Sequence, residues 1–229
     1  MKSVKNNIAA SIKANLGLSK TGAKVKTPLL AKLNAMQPCE AAVGCGLTVK
    51  TQAIAATMSE IENLWPLSDA QEEAFRVDSE TNLRGVQANA AILIADMPEL
   101  EGPLSELIAH HDESKYIPPE HYGYVWDVSI KRLSMYPSSN IVQVARRAAM
   151  RHHEQNNAHH LEFWEARTGV ETMPIPVLAH WFADLAYGCL EGNKSLADTL
   201  QRTIQDHMFS TEQIMLTQRW LKLFPELNY

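Results

Sequence analysis

At 229 residues, 45% of them hydrophobic and 21% charged, the chain can fill one sizeable core and falls outside the compositions that stay disordered. No apolar run approaches the ~18 residues of a membrane-spanning helix, and the first residues lack the apolar block of a secretory signal, so a cytoplasmic protein with no membrane partner is expected. Cys39, Cys45 and Cys189 are too few for a disulfide framework and have no CxxC spacing; they read as reduced thiols.

The net charge of −5 conceals a division. Residues 1–58 carry eight lysines against the single acid Glu40, a net +7, which leaves −12 for the remainder. A basic, Ala-rich arm ahead of an acidic body predicts a boundary near Ser59, with 1–58 as a helical arm or appendage and 59–229 as the main domain. Such an arm could meet nucleic acid or another anionic partner, or its lysines could simply be solvated.

From Ser59 onward the punctuation is helical. Ser59 with Glu62, and Ser68 with Gln71, have capping-box spacing, and the second opens a long stretch that Pro98 closes. Within it Val86, Ala90, Leu93 and Ile94 recur at steps of three and four, the mark of one buried helical face. Further helices are expected at 103–112, 120–130, 139–153, 159–167, 176–190, 196–208 and 211–223, with Pro, Gly or Asn between most of them. Strand-like alternation is hard to find, so the class is all-α.

Three places concentrate chemistry. In His110-His111-Asp112-Glu113-Ser114-Lys115, an adjacent imidazole and carboxylate can take one divalent ion, and Lys115 could meet a phosphate presented to it. Residues 152–160, His-His-Glu-Gln-Asn-Asn-Ala-His-His, hold four of the nine histidines. If one helix runs through them, His153 and His160 share a face, with Asn157 between, and His152 and His159 share the next. Neutral imidazole is the commonest protein ligand of zinc and also suits iron; the bland alternative is a polar turn between helices. His180 and Asp184 lie one turn apart on an otherwise apolar helix, where a carboxylate is costly unless it pairs or ligates.

The order His-Asp, then His-His-Glu, then a late helical Asp resembles the HD superfamily of metal-dependent phosphohydrolases. More closely, His111-Asp112-x-Ser114-Lys115 followed by His153-x-x-x-Asn157-x-His159-His160-x-Glu162-x-Trp164 is similar to an uncharacterised family of small HD-like proteins of bacteriophages and bacteria. The resemblance spans about 78–190. It implies an HD-domain-like helical bundle around one or two divalent ions (Zn, Mn, Fe or Mg), with ligands among His111, Asp112, His153, His159, His160, His180 and Asp184. It also implies hydrolysis of a phosphate ester, often a nucleotide, in the host cytoplasm if the protein is phage-encoded. The chain departs from the pattern twice: no early histidine stands near 81–89, where Asn82 and Gln87 are found instead, and His180 precedes Trp181 where an acid is expected.

On that reading a metal-activated water attacks phosphorus, Lys115 and Arg146 or Arg147 neutralise the phosphate, and Glu154 positions the water or carries a proton. Tyr122, Tyr124, Trp126 and Trp164 either wall a base pocket or fill the core. Two other readings stay open: an HD-type di-iron oxygenase, and a non-catalytic, metal-stabilised phage protein that binds through the basic arm.

Overall fold

A computed structural model describes residues 56–137 and 139–227. The body of the basic arm, with Cys39 and Cys45, lies outside the described residues. Among those described the fold is all-α, with no strand, and no helix is long and apolar enough to cross a membrane.

Residues 56–64 are helical (α1) and are followed by α2 (Asp69–Asp96), α3 (Glu101–Ala109), α4 (His121–Leu133), α5 (Asn140–Asn156), the short α6 (Leu161–Glu165), α7 (Ile175–Glu191), α8 (Leu196–Asp206) and α9 (Thr211–Leu221). Single-turn 3-10 segments occur at Glu113–Tyr116 and Val170–Thr172. The capping box expected at Ser68 forms: Gln71 Oε1 accepts from the Ser68 N–H at 3.1 Å. Ser139 likewise caps α5, its hydroxyl accepting from Ile141 N–H. Ser59, by contrast, lies inside α1 rather than ahead of it. Thr57, Met58 and Ile61 of α1 are buried, so the expected boundary falls within a packed helix.

Two main hydrophobic cores form, and a third small cluster of Phe75, Val125 and Val128 joins α2 to α4; α2 packs against both α7 and α4. The larger joins Val86, Ala90 and Leu93 of α2 to Leu104 of α3, Leu178 and Phe182 of α7, Leu200 of α8, Trp220 of α9 and Phe224 beyond it. The smaller joins α1, α4 and α5 through Ile61, Tyr122, Trp126, Val142, Ala145 and Ala149. Each fully buried large side chain contributes roughly 1.5–3 kcal/mol.

Two glycines set helix spacing. A Cβ on Gly85 of α2 would lie 2.0 Å from the Tyr187 ring of α7, and one on Gly123 of α4 would lie 2.3 Å from the Ala149 Cβ and 3.2 Å from the Arg146 Cα of α5. A side chain at Gly123 would force α4 and α5 apart, whereas one at Gly85 would displace the Tyr187 ring.

Candidate metal centre

The polar cluster draws on parts of the chain up to about a hundred residues apart. Asn82 comes from α2, His111 and Asp112 from the turn that ends α3, His153 from α5, His159 and His160 from the turn before α6, and His180 and Asp184 from α7. Asn89 Nδ2 donates to Ala183 O at 2.9 Å and ties α2 to α7 beside it.

Two local departures from the expected helices make this convergence possible. The helix expected to reach Asp112 ends at Ala109, and Asp112 takes a left-handed backbone (φ 63°). That region is strained for most residues and tolerated by Asp and Asn. The turn redirects both side chains inward, leaving His111 and Asp112 buried. The helix expected at 139–153 runs on to Asn156 and stops there, so no single helix carries residues 152–160. Asn157 is extended, and its Nδ2 donates to His153 O at 2.9 Å, while Asn156 Nδ2 donates to His152 O at 2.7 Å. These amides compete with the backbone for the last carbonyls and stop the helix. His159 and His160 therefore approach from a turn, pinned by Trp164 Nε1 donating to Ala158 O at 2.8 Å.

At the centre, Asp112 Oδ2 accepts from Lys115 Nζ at 2.5 Å and lies 3.2 Å from His111 Nε2. Its Oδ1 lies 3.0 Å from His153 Nε2 and 3.4 Å from His159 Nε2, without forming a hydrogen bond to either. His111 Nε2 donates to Asn82 Oδ1 at 2.9 Å, so its Nδ1 is left as an acceptor, 2.9 Å from His180 Nε2. Two ring nitrogens so close can share one proton or one cation. Asp184 Oδ1 stands farther off, 3.8 Å from His111 Nε2, and is partly exposed. Of the two residues named where the resemblance expects an early histidine, Asn82 reaches the cluster and Gln87 is exposed.

The donor atoms form two overlapping trios, His111-His159-His180 and His153-His159-His160, each with ligand atoms within 4.8 Å of one another. Buried Asp112 Oδ1, His153 Nε2, His159 Nε2 and His160 Nε2 have no hydrogen-bond partner. Leaving such atoms unpaired costs about 1–3 kcal/mol each, and a shared cation would satisfy all four. Electrostatics keep most of the imidazoles neutral, the ligating form. Burial pushes His180 down to about 2, with His159 and His111 adding to the effect. Burial also pushes His160 well down, helped by His159 and His153, and lowers His111 against the pull of the Asp112 and Asp184 carboxylates. His153 differs: burial lowers it, but the Asp112 and Glu120 carboxylates outweigh that and hold it up. These buried His and Asp groups could hold a metal ion.

A residue that sequence reasoning missed sits behind His153. Glu120, 1% exposed, receives His152 Nδ1 on Oε1 at 2.7 Å, and His153 Nδ1 and the Ser114 hydroxyl on Oε2, each at 2.7 Å. Burial raises its pKa, but the bonds from His152 and His153 outweigh this and bring it to about 2. An acid at the start of an expected helix was the only local signal.

The expected phosphate-binding and acid–base groups are placed unevenly. Lys115 is turned onto Asp112 and lies over the Tyr124 ring at 4.6 Å, so its ammonium is engaged with the ligand carboxylate. Burial pushes it down, but Asp112 outweighs burial and holds it above its ordinary value. Arg147 is exposed and about 120° around α5 from His153, too far to serve the cluster, because six residues do not complete whole helical turns. Arg146 is committed to Asp127 at 2.7 Å. Glu154 is half-buried on α5, its pKa raised by burial and by Glu162. Of the aromatics, only Tyr124 touches the cluster, edge-on to His153 at 5.3 Å. Tyr122 and Trp126 fill the smaller core, and Trp164 packs against the larger.

No curated protein and no solved structure matches the chain. Residues 79–218, which contain every member of the cluster, match DUF5662, a family of unknown function, and the chain belongs to that family.

Proposed function

We propose that this chain is a metal-dependent hydrolase of phosphate esters, with a nucleotide as the substrate class, acting in the cytoplasm. The observation that carries the reading is the set of four buried, unpartnered ligand atoms on Asp112, His153, His159 and His160, gathered among five imidazoles. The HD-type order of these residues along the chain supports phosphoryl chemistry. The imidazole-rich donor set suits zinc or iron better than magnesium.

A divalent ion held there would lower the pKa of a bound water toward ~7 and polarise a phosphoryl oxygen. The protein's own residues supply the remainder. Asp112 and the imidazoles orient the reacting centre, and the two cores keep bulk water from its inner side. Lys115, beside Asp112, adds positive charge where a phosphate would arrive. Glu154, whose pKa is raised by burial and by Glu162, is the proposed proton carrier.

Elemental analysis of the purified protein, run with a nucleotide screen for released phosphate, tests this. Stoichiometric metal and phosphate release, both lost in His153→Ala, are expected. Protein that carries no metal and takes up neither Zn2+ nor Fe2+ would remove the basis of the reading. The two trios meeting at His159 favour one second reading, a two-iron oxygenase, which two irons per chain and oxygen consumption without phosphate release would select.

A further inference from the structure

We infer that Glu120 is the positioning residue of the metal centre: its carboxylate fixes His153 as the Nδ1–H tautomer and so presents Nε2 to the ion. This rests on the metal reading above. A carboxylate can only accept, so the 2.7 Å contact assigns the hydrogen to His153 Nδ1, and the Asn157 amide, whose Nδ2 lies 3.0 Å from that nitrogen, donates to His153 O instead. His153 Nε2 then points a lone pair toward Asp112 Oδ1 at 3.0 Å, where neither atom has a hydrogen-bond partner. Two acceptors face each other across a gap that a cation resolves. Ligating histidines are commonly oriented by a carboxylate on the far ring nitrogen in this way.

Glu120 is itself held from several sides. It is 1% exposed, the residue before α4, and its Oε1 takes His152 Nδ1 at 2.7 Å while Oε2 also takes the Ser114 hydroxyl at 2.7 Å. Ser114 lies two residues after Asp112 and reaches Asn157 Oδ1 at 3.2 Å. The carboxylate therefore links the His111-Asp112 turn to the end of α5. Its negative charge also raises the basicity of His153 toward a metal. Glutamine at this position keeps the shape but offers one acceptor oxygen for two imidazole donors, and its amide nitrogen would face one of them donor to donor.

The test uses the full chain loaded with Zn2+ alone. Zn2+ affinity is measured by competition with a chromophoric chelator for wild type, Glu120→Gln and Glu120→Asp, and the His153 tautomer is read from its ring 15N shifts. Wild type is expected to show a protonated Nδ1 and a zinc-bound Nε2. Glu120→Gln should bind Zn2+ roughly 10–100-fold more weakly and lose the single His153 tautomer, with the helical circular dichroism unchanged. Glu120→Asp should recover part of both. Should Glu120→Gln fail to fold, the Ser114→Ala variant and the wild-type 15N shifts decide: a wild-type His153 bound through Nδ1 overturns the inference. So does a folded Glu120→Gln with wild-type affinity and tautomer. Wild type that takes up no Zn2+ would instead refute the metal reading itself.

Discussion

Replacing Asp112 by Asn isolates what its charge contributes, because Asn also tolerates the left-handed backbone at φ 63° and keeps the side chain's shape. Without metal, the change leaves the Lys115 ammonium, 19% exposed, without its 2.5 Å partner. Breaking a buried pair from one side costs about 3–5 kcal/mol, which at roughly 2–4 °C per kcal/mol for a domain of this size lowers Tm by about 6–20 °C. With metal, the same oxygen pair is expected to be a ligand, facing His153, His159 and His111 within 3.4 Å. Losing it should weaken Zn2+ by at least about 100-fold, the upper end of what an indirect partner of a ligand is worth. At a free Zn2+ concentration about 100 times the wild-type Kd, wild type gains about 2.7 kcal/mol and the variant only about 0.4 kcal/mol. Differential scanning calorimetry with and without Zn2+ should therefore show wild type rising by roughly 5–11 °C and Asp112→Asn by roughly 1–2 °C. An equal rise in both proteins would refute the assignment of Asp112 as a ligand.

Lys115→Ala should retain Zn2+ but raise the concentration of inorganic phosphate needed for inhibition, by an order of magnitude for one lost charge contact at about 1.5–3 kcal/mol; unchanged inhibition would show that the ammonium serves Asp112 alone. Gly123→Ala should destabilise by about 1–3 kcal/mol in urea unfolding, since the added carbon meets the Arg146 backbone at 3.2 Å, which cannot rotate away. Asp127→Asn removes the shared partner of Arg146 and Lys131, each at 2.7 Å, for about 1–3 kcal/mol near neutrality, moderated because Lys131 is half exposed. Burial pushes Asp127 up, but Lys131 and Arg146 outweigh it and hold the carboxyl below its ordinary value of 3.8. Its stabilising contribution is thus complete above that value and lost as the pH falls below it, so the wild-type advantage over Asp127→Asn in urea titrations should shrink under acid conditions.

The fold class was legible because the chain's local signals agree with its packing. Ser68-Gln71 and Ser139 cap helices as their residue types predict, and Val86, Ala90 and Leu93 lie on one buried face. The ligand candidates were legible too, because five histidines and an aspartate at uncommon densities need no geometry to be noticed, and His111, Asp112, His153, His159, His160 and His180 do meet. What could not be read was how they meet. The face-sharing that one helix through 152–160 would give does not occur, because the Asn156 and Asn157 side chains take the terminal carbonyls. Asp112 was assigned to a helix because nothing local announces a left-handed residue. Glu120 looked like one more helix-start acid, since its partners His152 and His153 lie 32 and 33 residues away and only tertiary structure joins them. The HD resemblance and phosphoryl transfer stay in the proposal for the same reason: substrate choice depends on the shape of a cleft, which no spacing encodes.

The contact between Gly85 and Tyr187 acts as a gauge block for the whole centre. Gly85 stands three positions after Asn82 on α2, and Tyr187 three after Asp184 on α7, so the same two helices that meet flush there also deliver Asn82 and His180 to opposite sides of His111. A bare glycine there lets α2 and α7 close up over the Tyr187 ring, so the spacing of those two sides is set partly by a residue outside the cluster, and a redesign of that spacing would begin at position 85.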